Sequence, residues 1–350
     1  MRLSAILRVA VLLAIAAYGL AASAGEQIHG AGATFPAPVY AAWAKAYQES
    51  NDVRISYDAV GSGAGIDRIR RHEVDFGASD APLTAEELAN ADLIQFPVVI
   101  GGVVPVINIT GIKPGQLKLS GALLADIYFG RIKKWNDAPI AMLNPALALP
   151  NTNITVVYRS DPSGTSLLWT DYLSRSSIDW RSGVGVSLAP KWPTGIGGTG
   201  NEGVASYVQR TRFAMGYVEY SYARKHHLSD VALSNHSGQF VRAGRSTFRA
   251  AAETAEWNAA AGFQQLPTDR PGNESWPVTG ASFILIGKSP GDGRSTVQVL
   301  RFFDWALHQG EPIARGLDYV PVPSAVVEQL LALWGTLRDS AGERLWPQDR

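Results

Sequence analysis

Short apolar runs and stretches of three-to-four-residue periodicity take turns along the chain. Val53-Arg54-Ile55-Ser56-Tyr57 alternates and predicts a strand. Ile154-Thr155-Val156-Val157, Phe213 to Val218 and Ser282 to Ile286 are β-branched or apolar and predict buried strands. Val39, Trp43 and Tyr47 recur at helical spacing, as do Leu300, Phe303 and Leu307, and Val327, Leu330, Leu331 and Trp334. Helices are also expected over Ile66 to His72, Leu123 to Phe129, Leu167 to Leu173 and Glu202 to Gln209, with Ser324 capping the last one. Phe96 to Ile100 is a short apolar run that Gly101-Gly102 breaks, and Val103 to Ile109 then predicts a separate strand.

The junctions between these elements hold the polar chemistry. Tyr158-Arg159-Ser160-Asp161-Pro162-Ser163-Gly164-Thr165-Ser166 joins a strand to a helix. Such a turn aims backbone N–H groups at whatever lies over the helix start, where the dipole favours an anion. Ser163 and Thr165 add hydroxyls, Gly164 lets the backbone come close, and the Arg159 fork suits a tetrahedral oxyanion, with Asp161 placed to hold it. The same residues would also make an ordinary helix cap with a surface ion pair.

Two more junctions have this form: Gly30 to Pro38, exposing N–H groups at Thr34 and Phe35, and Gly61-Ser62-Gly63-Ala64-Gly65 before the helix at Ile66. Asp80 stands at the end of the strand Val74 to Ala81, where open α/β sheets bind ligands. Its other reading, a helix cap, is weaker because Thr84 and Glu87 form a better capping box.

Charge and composition narrow the classes. Lys+Arg and Asp+Glu both count 31 in 350 residues, a balance that argues against a nucleic-acid binder. Arg2 and Arg8, the apolar run Val9 to Leu20 and Ala22-Ser23-Ala24 predict a signal peptide over residues 1–24. Without that leader the chain is slightly acidic. There is no cysteine, hence no disulfide and no thiolate metal site. The six histidines show no metal-ligand spacing, and His226-His227 is expected to be a solvated loop pair. Lys133-Lys134-Trp135 is expected to be an exposed basic face. Gly195 to Gly200 fits G-x-G-x-x-G, but Lys191-Trp192-Pro193-Thr194 before it is no buried strand, so a loop is expected. Asp161-Pro162-Ser163-Gly164-Thr165 lacks the first glycine of G-x-S-x-G.

At these residues the chain resembles the periplasmic phosphate-binding protein of the bacterial high-affinity phosphate ABC importer. The matching stretches are Gly30 to Tyr40, Val74 to Pro82, Gly101 to Val104, Asp126 to Trp135, Arg159 to Ser166, Gly216 to Tyr220 and Phe302 to Ala306. The resemblance implies an α/β fold of two lobes joined by crossover strands, with the ligand in the cleft. Lobe I would hold residues 25–99 and 275–350, and lobe II residues 100–274. It implies phosphate held by Thr34, Phe35, Ser62, Asp80, Arg159, Ser163, Gly164 and Thr165, with Asp161 supporting Arg159. Pro162 stands where the family often has glycine, and its fixed φ is expected to suit the first helical turn. The implied partners are inorganic phosphate and the permease subunits of an ABC importer, with no nucleic acid, no cofactor and no metal, in a soluble periplasmic monomer. Asp80 would accept the proton that hydrogen phosphate carries and sulfate lacks. The competing reading is a secreted phosphatase using Ser163 or Thr165 as nucleophile.

Overall fold

The structure is a computed structural model that describes residues 26–290 and 293–346; the expected signal peptide, residues 1–24, lies outside the described residues. The chain opens with β1 (Glu26–Gly32), α1 (Ala37–Gln48), β2 (Val53–Ala59), α2 (Ser62–Arg70), β3 (Phe76–Ser79), α3 (Ala85–Asn90) and β4 (Leu93–Ile107). Then come β5 (Lys118–Leu119), α4 (Gly121–Tyr128), α5 (Ala138–Leu143), β6 (Thr155–Arg159), α6 (Gly164–Ser176), α7 (Ile178–Gly183), β7 (Ile196–Gly198) and α8 (Gly200–Arg210). β8 (Ala214–Glu219), α9 (Tyr220–Lys225), β9 (Ser229–Asp230), β10 (Ala232–Ser234), β11 (Phe240–Val241) and α10 (Arg245–Glu253) follow. The last part holds β12 (Thr279–Gly287), α11 (Arg294–His308), α12 (Glu311–Gly316), β13 (Val320–Pro321) and α13 (Ser324–Trp334).

The fold is mixed α/β. The main sheet runs β2-β1-β3-β12-β4-β8-β6-β7, with β9 and β13 also on β4. β1 is parallel to both β2 and β3, and β6 is parallel to both β7 and β8, as strand–helix–strand crossovers require. β4 ties these two parallel groups together. Its first part, Leu93 to Gly102, pairs with β12, and its last part, Val103 to Ile107, pairs with β8.

The expected break at Gly101-Gly102 is absent: β4 is one strand of 15 residues, buried throughout. The two glycines make room instead of ending the strand. A Cβ on Gly101 would stand 2.9 Å from the Phe35 ring, and one on Gly102 would stand 2.2 Å from the Phe248 ring.

Two aromatic clusters fill the core around that strand. Phe303 meets Tyr40, Phe76 and Phe96 edge-on, and Phe96 meets Trp334. Trp169 stacks on Tyr217 at 5.0 Å, and Tyr128 packs against both. Truncating one such ring to alanine costs about 3–5 kcal/mol.

Further expectations shift. Trp135 is fully buried, not part of an exposed basic face; its indole donates to the Phe213 carbonyl at 3.0 Å, while Lys133 and Lys134 are exposed. Residues 196–198 form β7, because parallel pairing with β6 turns part of the expected loop into a short edge strand. His226 ends α9 and sits 2.8 Å from the Glu202 carboxylate, mostly covered, so only His227 of that pair is solvated. Pro323, not Ser324, is the N-cap of α13.

Candidate functional site

The strand-to-helix turn after β6 builds the centre of the site. Arg159 ends β6 and is almost wholly buried. Asp161 grips its fork from one side: Nε donates to Oδ1 at 2.9 Å and Nη2 donates to Oδ2. Asp161 Oδ1 also accepts the Gly200 N–H at 2.9 Å. Burial pushes the Asp161 carboxyl up, but the guanidinium and that N–H outweigh it and hold the group below its ordinary range. Nη1 of Arg159 donates to Thr165 Oγ1 at 3.2 Å.

α6 begins at Gly164, three residues before the expected start at Leu167. Ser163 is the N-cap, its Oγ accepting from the Ser166 N–H at 3.2 Å. Pro162 therefore lies outside the helix rather than in its first turn. It contributes its carbonyl, which accepts the Gly63 N–H at 3.2 Å and ties this turn to the start of α2.

The expected Gly-rich loop at residues 61–65 is mostly helix, since α2 starts at Ser62. Ser62 is fully buried, and its Oγ accepts the Asp80 N–H at 3.2 Å and the Gly164 N–H at 3.1 Å. The Gly164 N–H thus bridges two distant parts of the chain. A Cβ on Gly164 would stand 2.5 Å from Asp80 Cβ and 2.7 Å from Ser62 Oγ, so glycine permits this approach.

Asp80 follows β3 and is 1% exposed. Its Oδ2 lies 3.5 Å from Ser62 Oγ, and its Oδ1 has no hydrogen-bond partner. Burial pushes the carboxyl up to about 7, against the pull of the Ser282 hydroxyl and the Arg159 guanidinium.

Thr34 and Phe35 follow β1 and are both buried. The Thr34 carbonyl accepts from Tyr222 Oη and the Phe35 carbonyl from Tyr319 Oη, each at 2.7 Å. Thr34, Phe35, Ser62, Asp80, Arg159, Ser163, Gly164 and Thr165, with Asp161, are therefore gathered into one buried polar cluster from distant parts of the chain. A surface groove of about 850 Å³ lined by Tyr47, Arg301 and His308 shares no residue with it.

Sequence reasoning missed three residues. Asn201, on the first turn of α8, joins Thr34 to Thr165: Nδ2 donates to both hydroxyls, at 2.8 and 3.3 Å. Its signal was an Asn directly after a glycine turn, read only as part of a loop and helix start. Tyr217 Oη accepts the Arg159 N–H at 3.1 Å and lies 2.7 Å from Ser166 Oγ. Glu219 is buried, lies 3.0 Å from Tyr319 Oη, and accepts from Ser221 N–H at 2.9 Å and from Ser221 Oγ. Burial pushes its carboxyl up to about 8, opposed by those hydrogen bonds. No side-chain signal marked Tyr217 or Glu219 as different from strand residues.

Comparison with known proteins adds an independent finding. A family profile for the PBP superfamily domain matches residues 20–278. The phosphate-binding protein PstS of Haemophilus influenzae is 50% identical over 311 residues, covering 89% of this chain and 93% of that protein. The phosphate-binding protein PstS of Pasteurella multocida is 48% identical over 340 residues, covering 96% and 98%. A crystal structure of a putative phosphate ABC transporter substrate-binding protein from Clostridium perfringens, with bound phosphate, shares the fold at a TM-score of 0.61. It is 21% identical, with 85% of this chain and 100% of that one covered.

Proposed function

The chain belongs to the PBP superfamily and, within it, to the family of PstS phosphate-binding proteins, and from that premise we propose that the buried cluster around Arg159 holds inorganic phosphate. The observation that carries this reading is the convergence itself. Arg159, locked by Asp161, bonds the Thr165 hydroxyl, Asn201 links that hydroxyl to the one on Thr34, and the Ser62 hydroxyl accepts the first N–H of α6, all in one buried place. An oxyanion there gains charge-assisted hydrogen bonds of about 1.5–3 kcal/mol each. The site needs no net positive charge, because amide and hydroxyl dipoles share the work with one guanidinium.

Asp80 supplies selectivity. It is a buried acceptor among donors, with an oxygen that lacks a partner. A bare tetrahedral anion meets repulsion there, whereas hydrogen phosphate donates its proton to the carboxylate. A site built to pair with a ligand hydroxyl rejects an analogue without one by about 10⁴–10⁵.

The protein captures phosphate outside the cytoplasmic membrane, in the periplasm, as a soluble monomer, and passes it to the permease subunits of an ABC importer. Two lobes close on the ligand, with their junction where β4 changes partner at Gly102 and Val103 and where the chain returns at Pro277 to Thr279. Among the described residues no helix is long and apolar enough to cross a membrane.

The phosphatase reading has no support: the two PstS relatives are named as binding proteins, and the Ser163 hydroxyl is engaged as the cap of α6. Calorimetric titration of the purified protein with phosphate, arsenate and sulfate tests the proposal. Saturable binding of phosphate and arsenate with sulfate rejected is the expected result. No phosphate binding, or equal binding of sulfate, overturns it.

A further inference from the structure

Asn201 is fully buried, and each of its polar atoms has a fixed partner. Its Oδ1 accepts the Glu219 N–H at 2.9 Å. A backbone N–H can only donate, so the amide oxygen must face β8 and Nδ2 must face the site. The two Nδ2 hydrogens then go to Thr34 Oγ1 at 2.8 Å and Thr165 Oγ1 at 3.3 Å. The Asn201 N–H adds a second donor to Thr34 Oγ1 at 3.2 Å, and Arg159 Nη1 adds a second donor to Thr165 Oγ1 at 3.2 Å.

A hydroxyl oxygen has two acceptor sites and one proton. Both sites are filled on Thr34 and on Thr165, so each hydroxyl is left with only its proton to offer. A ligand oxygen facing either threonine has to be bare. Ser62 Oγ likewise accepts from two backbone N–H groups, and both Asp161 oxygens are engaged by Arg159. Asp80 Oδ1 is the carboxylate oxygen in the cluster with no partner. The site therefore has one anionic place for one ligand proton.

We propose that Asn201 is a positioning residue that fixes the Thr34 and Thr165 hydroxyls as obligate donors, so that the site takes the singly protonated phosphate dianion in preference to the doubly protonated monoanion. This rests on phosphate being the ligand. It extends that reading from which anion is bound to which protonation form. Charged and titratable groups on the surrounding elements are Arg159 at the end of β6 and Asp161 after it, Asp80 after β3, Tyr217 and Glu219 on β8, Tyr222 on α9, Glu202 on α8, Tyr40 on α1, Tyr57 on β2 and Tyr319 before β13. None of them is itself substituted when Asn201 alone is changed.

The experiment is calorimetric titration of the full mature chain with inorganic phosphate between about pH 5 and 8. Paired buffers of different ionisation heat count the protons released per phosphate bound. At the acid end the wild type is expected to release more protons than Asn201→Ala or Asn201→Ser, whose freed threonine hydroxyls can accept a second ligand proton. Asn201→Asp, whose carboxylate draws the threonine protons away from the ligand, is expected to bind phosphate about 100-fold more weakly or worse. Equal proton release in wild type and both smaller variants, with affinity falling in parallel at every pH, overturns the proposal and leaves Asn201 a strut. Should Asn201→Asp fail to fold, the Ala and Ser comparison decides alone. A wild type that binds no phosphate strikes the functional reading and takes this inference with it, a result readily told apart from unchanged proton release.

Discussion

A carboxylate as buried as Asp80 opposes folding unless something compensates it, and no hydrogen bond among the described residues satisfies its Oδ1. Retaining such a group makes physical sense if a ligand proton completes it. Asp80→Asn replaces one acceptor oxygen with an NH₂ donor, which suits a bare anion. Sulfate affinity is expected to rise by at least about a hundredfold while phosphate affinity falls, a fraction of the 10⁴–10⁵ such sites can reach. Titration of the variant with both anions checks this, and sulfate rejection equal to the wild type would show that discrimination lies elsewhere. Gly164→Ala tests the other side of the same contact. Its Cβ would have to enter space 2.5 Å from Asp80 Cβ, forcing α6 away from Ser62 and Asp80. Phosphate binding at least about tenfold weaker is expected, and wild-type affinity would mean that this close approach is not used.

At the level of elements, most of the site was legible because strand-to-helix junctions announce themselves by composition. Gly, Ser, Thr and Asp between an apolar run and a helical stripe marked Thr34, Ser62, Asp80 and Arg159 to Thr165, and the structure gathers all of them. Helix starts were read too late at Ser62, Gly121 and Gly200, since small residues that look like turn can form a first helical turn when packing allows. Asn201 was missed for that reason: it lies in a first turn mistaken for a loop. Gly101-Gly102 misled in the opposite direction, because glycine also serves where rings press on a strand. The Trp135 side chain was judged by its lysine neighbours although large aromatics are commonly buried. The Thr84 capping box, by contrast, forms as predicted, with Thr84 Oγ1 accepting the Glu87 N–H at 3.2 Å and Glu87 accepting the Thr84 N–H at 2.8 Å. Thr84→Ala is expected to lower stability by about 1 kcal/mol without changing phosphate affinity. A thermal melt and a titration on the same sample separate those effects, and a changed affinity would mean that α3 communicates with the cluster.

Across the whole molecule, β4 joins two groups of strands, and the buried carboxylates Asp80 and Glu219 both sit near that seam. Glu219 ends β8 opposite Val103, and through Tyr319 it reaches the Phe35 carbonyl. Burial raises Asp80 to about 7 and Glu219 to about 8, from ordinary values of 3.8 and 4.5. Between the ordinary and the raised values the folded chain holds more protons than the unfolded chain. Stability therefore falls as pH rises through that window, with a slope of at most about 1.4 kcal/mol per pH for each of the two carboxyls. The lowered Asp161 works in the opposite sense, but only in more acid solution, below the ordinary carboxylate range. Without phosphate, the melting temperature is expected to be higher near about pH 5 than near about pH 8, and Asp80→Asn should flatten the slope. Saturating phosphate should raise the melting temperature in proportion to the logarithm of its concentration. It should raise it most at the alkaline end, where an ionised Asp80 gains a ligand proton to accept. A melting temperature that climbs steadily from the acid to the alkaline end without ligand would mean that the two carboxylates are compensated in solution. The buried seam would then be no source of strain for phosphate to relieve.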